Sequence, residues 1–388
     1  MSLRPRVLVF EDSVYRADEA GPSTDRAFLH YVTRLVDERV ALVLLGRVDP
    51  APGRSFYAVP PQVDVTALPY YPSLVHPAAP AALLASLRRS WQALGEVDVA
   101  WLMGPHPLAL GLLVLARLRG VPVVLGVRQD LPRYARERHP ARRWTHVAAD
   151  LLERCWRLAA RRRAVVAVGP ELSRNYAVAK RLLPLSISLV PADAARVERP
   201  RHRYDGELCL LSVGRLEQEK NPLLLADVLA LLRASDPRWR LRVCGQGSLE
   251  PALRARLVEL GVAEHAELLG YVPVDAGLLE LYRASHAFVH VSWTEGLPQV
   301  LFEAWASGTP VVATAVGGVA EAAGTAALLV PPGDAAAAAH ALLRVAQDEQ
   351  LRDRLRTEGD ARLAAADMAG GLRAVRELLV ATAAAGRP

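Results

Sequence analysis

The chain of 388 residues is 52% hydrophobic and 23% charged and carries a formal net charge of +6, a composition typical of a soluble globular protein. Its length exceeds that of one ordinary hydrophobic core and predicts two domains. No apolar run reaches about 18 residues without a charge, so we expect no transmembrane helix. The first strand runs directly into Glu11 and Asp12, which is unlike a signal peptide, and we expect a cytoplasmic protein.

The positive charge is concentrated in the first half of the chain. Residues 1–200 contain 28 Lys and Arg against 18 Asp and Glu, whereas residues 201–388 contain 19 against 23. Ten arginines lie between Arg133 and Arg163, against three carboxylates. This pattern indicates either a solvated helix face or contact with an anionic membrane or acidic acceptor. Few aromatic residues accompany the arginines, and we expect no nucleic-acid partner.

The three cysteines, Cys155, Cys209 and Cys244, are far apart and lie in apolar or helical contexts. We expect buried thiols in a reducing compartment rather than disulfides or a metal site.

The first half alternates between strand and helix patterns, which predicts a parallel sheet with helices on both faces. Ligands bind such sheets beyond the carboxyl ends of the strands. We predict strands at residues 6–10, 40–45, 97–103, 121–127, 164–168 and 185–190, helices at 25–38, 81–94, 107–119, 142–162 and 170–180, and a Pro-rich irregular region at 48–80.

Two of these strand ends carry candidate site residues. His106 follows the third strand, and it is either a ligand contact or a histidine satisfied within its loop. Arg128 and Asp130 follow the next strand. There a guanidinium can meet a phosphate or carboxylate, or the two side chains can pair with each other. The turn-rich, polar segments at 191–196 and 200–206 then predict the linker between the two domains.

The second half repeats the strand–helix alternation, with glycine or charge at successive strand ends. Gly214 permits close backbone approach, and Arg215 and Lys220 place two cations at a strand-to-helix turn, where a phosphate would lie. Further strand ends carry Gly245-Gln246-Gly247, Tyr271-Val272 and Gly317-Gly318 with Glu321. We predict strands at 208–213, 241–244, 266–270, 287–291 and 311–314, and helices at 223–234, 299–307 and 372–383.

The most informative segment is the turn from Thr294 to Pro298 and the helix that follows it. Glu295 lies in the turn and Glu303 eight residues later, about two helical turns on. Between them, the backbone N–H groups of residues 297–300 form a helix N-terminus, which attracts anions and phosphates. A nucleotide-sugar needs this combination of hydroxyl acceptors and a phosphate cradle. We expect neither glutamate to be a buried, paired charge.

In this order and at this spacing, these motifs resemble the retaining GT-B glycosyltransferases of family 4, also called glycosyl transferases group 1. The resemblance rests on Gly214-Arg215 with Lys220, Gly245-Gln246-Gly247, Glu295 with Glu303, and Gly317-Gly318 with Glu321, and it extends from residue 208 to about residue 345. It implies an α/β protein with two Rossmann-like domains whose parallel sheets face across a cleft. Residues 1–195 would form the acceptor-side domain, 196–370 the nucleotide-sugar domain, and 371–388 a helix crossing back to the first.

The resemblance also implies roles for individual residues. Arg215 and Lys220 would bind the donor diphosphate, Glu295 the donor sugar and Glu303 the ribose. The remaining implied donor contacts are Gly214, Gly245, the backbone near Tyr271 and Val272 for the base, and Gly296, Leu297, Pro298, Gln299 and Val300. The catalytic candidates are Glu295, Arg215, Lys220 and His106.

The first half departs from the family pattern. The glycine-rich loop after the first strand is reduced to Ala20-Gly21-Pro22-Ser23, and Arg128 stands where many members have a histidine. The acceptor-side candidates are therefore Gly21, His106, Arg128 and Asp130.

The family's reaction moves a sugar from a nucleotide-diphosphate-sugar to an acceptor hydroxyl with retention, which is usually explained by the leaving phosphate taking the acceptor's proton. The chain contains no Asp-x-Asp, so we expect cations and the helix N-terminus to replace a metal, with no cofactor beyond the donor. The acceptor is a secondary metabolite, a lipid-linked sugar or a polysaccharide. The alternatives are a nucleotide-sugar epimerase of the same architecture and a non-catalytic partner subunit.

Overall fold

The computed structural model describes residues 4–26, 28–51, 53–190 and 202–386. Most of the predicted linker, residues 191–201, lies outside these ranges. The chain forms two compact units. The N-terminal unit contains residues 1–132, 144–189 and 368–388, and the C-terminal unit contains residues 133–143 and 190–367. The short segment 133–143, which we placed with the first domain, therefore groups with the second.

The N-terminal unit contains a mostly parallel sheet, with nine strands in the described residues. Its parallel strands follow the order β5-β3-β1-β6-β7-β8-β9, while β2 and β4 add antiparallel pairs beside the second half of β1. The strands are β1 (Arg6–Asp18), β2 (Gly21–Thr24), β3 (Ala41–Asp49), β4 (Tyr57–Ala58), β5 (Asp64–Leu68), β6 (Val99–Gly104), β7 (Val123–Val127), β8 (Ala164–Val168) and β9 (Arg181–Leu185).

Helices cover both faces of this sheet. Val7 and Val9 point into one hydrophobic cluster and Leu8 and Phe10 into another, because successive side chains of a strand face opposite ways. The C-terminal helix α14 belongs to this unit and packs into the first cluster. The helices are α1 (Phe28–Thr33), α2 (Ala79–Leu94), α3 (Pro107–Leu118), α5 (Arg143–Ala160), α6 (Pro170–Asn175) and α14 (Met368–Ala385). Helix α4 (Leu131–Arg138) lies mostly in the segment 133–143 that groups with the C-terminal unit.

The C-terminal unit contains a parallel sheet, with six strands in the described residues, in the order β12-β11-β10-β13-β14-β15. Leu210 faces one buried cluster and Leu211 the other, as expected of a parallel sheet covered on both faces. The strands are β10 (Leu208–Val213), β11 (Trp239–Cys244), β12 (Ala266–Gly270), β13 (Ala287–His290), β14 (Val311–Thr314) and β15 (Leu328–Val330). The helices are α7 (Leu224–Ser235), α8 (Glu250–Glu259), α9 (Leu278–Arg283), α10 (Gln299–Ala306), α11 (Val319–Ala323), α12 (Ala335–Gln347) and α13 (Glu349–Ala365).

The direction in which strands are added reverses between β10 and β13. In a doubly wound sheet this reversal opens a crevice at the carboxyl ends of the two strands, and ligands bind there.

Several predicted elements are wrong in extent. The helix predicted at 25–38 covers only Phe28–Thr33, and the Asp37 carboxylate accepts the amides of Arg39 and Val40 in a turn that replaces the rest. The region 48–80 contains two strands, and the last strand of this half lies at Arg181–Leu185 rather than 185–190.

The cysteine prediction holds for two of the three thiols. Cys209 and Cys244 are buried, but Cys155 is exposed on α5, because it lies on the helix face opposite the buried Ala149 and Trp156. No helix in the described ranges is both long enough and apolar enough to span a bilayer.

Candidate active site

A cavity of about 180 Å³ lies in the C-terminal unit at the crevice between β10 and β13. The loop after β10 contributes Gly214 and Arg215, and the neighbouring turn contributes Lys220. The loop after β13 and the start of α10 contribute the rest of the predicted cradle that lines the cavity, namely Glu295, Leu297, Pro298, Gln299 and Val300. The structure therefore brings together side chains that the sequence separates by about 80 residues.

The turn that carries Glu295 packs against the backbone of two glycines, Gly317 and Gly318. A Cβ on Gly317 would lie 2.0 Å from the carbonyl oxygen of Glu295, and one on Gly318 would lie 2.0 Å from that of Gly296. The Gly318 amide also donates to the Glu295 carbonyl at 3.2 Å. The two glycines are required because the backbones of the two loops touch, which fixes where the Glu295 side chain begins.

The Glu295 carboxylate contacts its partners among the described residues through one oxygen, Oε1. Lys220 Nζ donates to Oε1, Ser292 Oγ donates to the same oxygen at 2.9 Å, and His290 Nε2 lies 3.1 Å from it. Among the described residues, Oε2 has no hydrogen-bond partner. One oxygen thus orients the group, and the other remains available to accept a hydroxyl.

Glu295 is ionised at neutral pH. Burial acts to raise its pKa, but the charge of Lys220 and the contact with His290 outweigh burial and hold the pKa far below its ordinary value. Its side chain is only 10% exposed, so our expectation that Glu295 is not a buried, paired charge is wrong. The partner is the lysine that we assigned to phosphate.

Arg215 also pairs with a carboxylate, the fully buried Glu219 one helical turn further on. Arg215 Nη2 donates to Glu219 Oε1 at 2.6 Å, and Arg138 Nη1 donates to both oxygens of Glu219 at 3.0 and 2.9 Å. Arg138 by itself balances the negative charge of Glu219, so the positive charge of Arg215 is available to a ligand. Its side chain is 47% exposed at the cavity.

Glu303 lies inside α10 and is not among the residues that line the cavity. Tyr282 Oη donates to Glu303 Oε2 at 3.0 Å. Burial raises the pKa of Glu303 to about 7, although the tyrosine hydrogen bond acts in the opposite direction. Glu303 is therefore divided between its neutral and ionised forms at physiological pH, unlike Glu295.

The glycines after β11 hold the backbone of the neighbouring loop. A Cβ on Gly245 would lie 1.8 Å from the Gly214 carbonyl oxygen, and one on Gly247 would lie 2.3 Å from that of Leu216. The Gly245 amide donates to the carbonyl of Gly270 at 2.7 Å. Direct donor contact by Gly245 stays a prediction, as does base binding by Tyr271 and Val272, which directly follow β12.

The acceptor-side candidate His106 is the N-cap of α3. Its Nδ1 accepts from the Leu108 amide at 3.2 Å, and its Nε2 lies 3.5 Å from Asp12 Oδ2. Burial lowers the pKa of His106, and Arg47 lowers it further against the opposing charge of Asp12. The Nδ1 contact is that of a neutral capping residue, whereas Nε2 is buried without a hydrogen-bond partner among the described residues. A catalytic role for His106 stays a prediction.

The other candidates of the N-terminal unit lie at strand ends. Arg128 pairs with Glu11 and stacks 3.6 Å from the centroid of the Phe28 ring, and the alternative of a pair with Asp130 stays untested. Gly21 begins β2 with φ +106°, a conformation that favours glycine. Acceptor binding by Gly21, Arg128 and Asp130 stays a prediction.

Four residues of the site were missed from the sequence, and one of them, Ser292, directly follows the apolar run 287–291. His290 lay in an apolar run that we interpreted as strand only, although a polar residue at a strand's carboxyl end is itself a signal. Glu219 follows Arg215 by four residues, the spacing of a helical ion pair. Arg138 comes from a segment 81 residues away from Glu219, and no local pattern connects the two. Among the described residues, no group of three or more His, Cys, Asp or Glu side chains is placed to hold a metal ion.

The C-terminal unit thus has the sheet order and the crevice of a nucleotide-binding Rossmann-like domain. Comparison with protein families assigns it further, because residues 195–362 match the family described as glycosyl transferases group 1. This segment is a group 1 glycosyltransferase domain, and the family prediction is confirmed for it.

Known relatives match little more than a third of this chain. One is the D-inositol 3-phosphate glycosyltransferase of Corynebacterium efficiens, 39% identical over 151 residues that make up 37% of this chain and 35% of the relative. Another is the O-antigen chain mannosyltransferase B of Escherichia coli, 34% identical over 37% of this chain and 38% of that protein. The matched residues span little more than a third of each relative.

Solved structures match along nearly the whole chain. The sucrose-phosphate synthase of Thermosynechococcus elongatus has a TM-score of 0.73 at 20% identity, covering 98% of this chain and 100% of that one. HepE of Anabaena, solved with UDP and glucose, has a TM-score of 0.67 at 17% identity, covering 96% and 98%. The predicted GT-B class, with two Rossmann-like α/β domains, is confirmed.

Proposed function

We propose that the chain transfers a sugar from a nucleotide-diphosphate-sugar to an acceptor hydroxyl, with retention of anomeric configuration and without a metal ion. The observation that carries the proposal is the Glu295 carboxylate at the β10–β13 crevice. One of its oxygens is fixed by Lys220, Ser292 and His290, and the other has no partner among the described residues. An ionised, oriented acceptor of this kind suits a sugar hydroxyl.

The cations supply the charge that the leaving group needs. When the anomeric C–O bond to the diphosphate breaks, negative charge develops on the phosphate, and Arg215 and Lys220 both line the cavity. The N-terminus of α10 points its amide dipoles toward the same space. Preorganised donors of this kind are worth about 3–4 kcal/mol of barrier each, so these groups can take the place of a metal.

The bond changes balance without a protein base. The acceptor oxygen forms the new bond to the anomeric carbon, the leaving phosphate keeps the electron pair of the broken bond, and the acceptor proton passes to that phosphate. Because attack and departure then occur on one face of the sugar, the configuration is retained. Glu295 orients the sugar and stabilises its developing positive charge.

The relatives named above act, by their names, on an inositol phosphate and on an O-antigen chain. For this chain we propose a hydroxyl-bearing acceptor from the same broad range, a small metabolite or a lipid-linked or polymeric glycan.

A ligand screen followed by product analysis tests the proposal. We expect nucleotide-sugars to raise the thermal unfolding midpoint, because they bind only the native state, and Lys220→Ala to reduce this shift at a given donor concentration. Arg254→Ala, which removes a 56% exposed arginine of the same unit, is the matched control.

With the donor identified, NMR of the product should show the donor's anomeric configuration, and excess chelator should leave the rate unchanged. An inverted product would exclude retention, and loss of activity that magnesium or manganese restores would exclude the metal-free reaction. An epimerised free nucleotide-sugar would indicate an epimerase. A bound donor that is never hydrolysed or transferred would indicate a non-catalytic subunit.

A further inference from the structure

The outward face of α5 carries a stripe of large apolar side chains. Their exposed fractions lie between 59% and 68%, and at about 100° per residue they fall within roughly 60° of arc around the helix. The stripe consists of Trp144, Val147, Leu151 and Leu158.

The stripe is not part of the protein core. The opposite side of α5 supplies Ala149, Trp156 and Ala160, all of which are buried. The helix therefore already buries one apolar face and presents a second one outward. Isolated exposed hydrophobic residues are ordinary, but four large ones along one face of a helix mark an interaction surface.

Arginines border the stripe on one side. Arg154, Arg157 and Arg161 are all exposed, and six arginines lie between residues 143 and 163 against two carboxylates. One of these carboxylates, Glu153, accepts a hydrogen bond from Tyr176 at 2.7 Å and so faces the protein. The other carboxylate, Asp150, is half-buried and lies among these arginines at the helical spacing, so it offsets one of their charges. The outward surface of α5 is apolar with a border of net positive charge.

The positive surface continues beyond the end of α5 into a second cavity, of about 810 Å³, in the same unit. Among the described residues that line it, five are cations and none is a carboxylate. Burial lowers the pKa of Arg163, and the neighbouring Arg117 and Arg162 lower it further, so like charges face one another there. The five cations are Arg117, Arg162, Arg163, Lys180 and Arg181.

We propose that α5 docks on the surface of a bilayer that contains anionic phospholipid. The apolar stripe lies at the boundary between headgroups and acyl chains, and the arginines contact headgroup phosphates. Tryptophan suits this boundary, and the long arginine stems reach from the apolar layer to the phosphates. A symmetric pair with antiparallel α5 helices fits this face less well, because the arginine border of one copy would lie beside that of the other.

Co-sedimentation of the full chain with vesicles tests this docking. We expect binding to vesicles of phosphatidylcholine mixed with phosphatidylglycerol, little binding to phosphatidylcholine alone, and weakening by salt. The double variant Leu151→Asn/Leu158→Asn should bind at least about tenfold more weakly. Its control is Leu84→Asn/Val258→Asn, which removes two side chains of similar exposure, 71% and 68%, from other helices.

A second pair of variants separates the charge from the apolar stripe. Arg154→Gln and Arg161→Gln should each weaken binding about fivefold, whereas Arg88→Gln, which removes an exposed arginine of α2, should not.

Three results would overturn the proposal. One is equal binding to neutral and anionic vesicles or to neither, and another is an equal loss in the control variants. The third is a doubled mass in sedimentation that Leu151→Asn/Leu158→Asn abolishes while vesicle binding stays absent, since the stripe would then join two copies. Vesicle binding is measured without donor or acceptor, so a negative result leaves the proposed glycosyl transfer untouched.

Discussion

Each of the two sheets has a carboxylate, a cation and a histidine in contact near the ends of its strands, but the two sets differ in how these groups are paired. In the N-terminal unit, Asp12 follows the first part of β1 and meets Arg47 and His106. In the C-terminal unit, Glu295 follows β13 and meets Lys220 and His290. Each set is a carboxylate, a cation and a histidine, gathered at the carboxyl ends of parallel strands.

The difference lies in which oxygens are occupied. On Asp12, Arg47 lies 2.9 Å from Oδ1, Tyr71 donates to Oδ1 at 3.2 Å, and His106 lies 3.5 Å from Oδ2. On Glu295 the partners among the described residues all contact Oε1. Arg47 is 7% exposed, whereas the lysine that pairs with Glu295 is 21% exposed and lines a cavity. Both oxygens of Asp12 are in contact with a partner, although Asp12 itself is 33% exposed. The second set leaves an acceptor oxygen and a cavity-lining cation for a ligand.

The largest expected effect is that of Lys220→Ala. This substitution removes a cation proposed to stabilise the leaving phosphate, so we expect turnover to fall by about 10²–10³-fold. It also leaves Glu295 buried without its counter-charge, and some loss of thermal stability should accompany the loss of rate. The measurement is steady-state turnover at saturating donor, with Arg254→Ala as the control. Wild-type turnover in Lys220→Ala would show that Lys220 does not stabilise the leaving phosphate. The functional difference between the carboxylate sets of the two units would then disappear.

The matching substitution in the N-terminal unit is Arg47→Met, and it should affect stability alone. Methionine keeps much of the buried volume but leaves Asp12 without its charge partner, and we expect a loss of about 2–3 kcal/mol in the free energy of unfolding. Donor affinity, measured by calorimetry on the folded variant, should match that of wild type. A variant that keeps its stability but loses donor affinity would show that this set also serves the ligand.

A smaller effect separates the two glutamates of the C-terminal unit. Glu295→Gln should mainly lower turnover, by about 2 kcal/mol of barrier, because the sugar beside it changes charge during the reaction. Glu303→Gln should mainly raise the donor Michaelis constant, because ribose does not change in the transition state. Kinetics with donor varied at saturating acceptor distinguish the two. Equal loss of turnover with unchanged donor affinity would contradict the assignment of sugar to one and ribose to the other.

Much of the C-terminal unit could be predicted from sequence, because its strands and its main motif are encoded by residues that are close together in the chain. Strands such as Leu208–Val213 and Val311–Thr314 are short, mainly apolar runs. The Glu295 turn and the α10 start lie within one short segment. The Gly317-Gly318 pair was recognised by position, although its physical reason, contact with the Glu295 turn, became visible only in the structure.

The parts that were missed depend on contacts between distant residues. The pairing of Lys220 with Glu295 joins residues 75 positions apart, and both were predicted without any sign that they meet. In the N-terminal unit, β4 and β5 lie in a Pro-rich stretch whose strand character comes from pairing with β2 and β3. Periodicity carries no information about such partners.

The last prediction concerns pH and again compares two carboxylates. The folded-state pKa of Glu303 is about 7, raised from the ordinary value of 4.5 because burial outweighs the Tyr282 hydrogen bond. Between these two pH values the folded chain binds more protons at this position than the unfolded chain. The contribution of Glu303 to the free energy of unfolding is therefore fully present below about pH 4.5 and is lost as the pH rises through 7. Glu295 has the opposite sign, since its lowered pKa gives stability that is present at neutral pH and lost in acid.

Glu303→Gln should abolish the loss at high pH, because glutamine has no proton to release. We expect the variant to be more stable than wild type at pH 8 by about 1–2 kcal/mol and to differ little from it at pH 4.5. The measurement is the thermal unfolding midpoint at the two pH values, with Glu264→Gln, at an exposed position of the same unit, as the control. If wild type and Glu303→Gln lose stability equally between the two pH values, the proton is not held at Glu303. In that case Glu303 is ionised at neutral pH like Glu295, and the electrostatic difference between the two glutamates disappears.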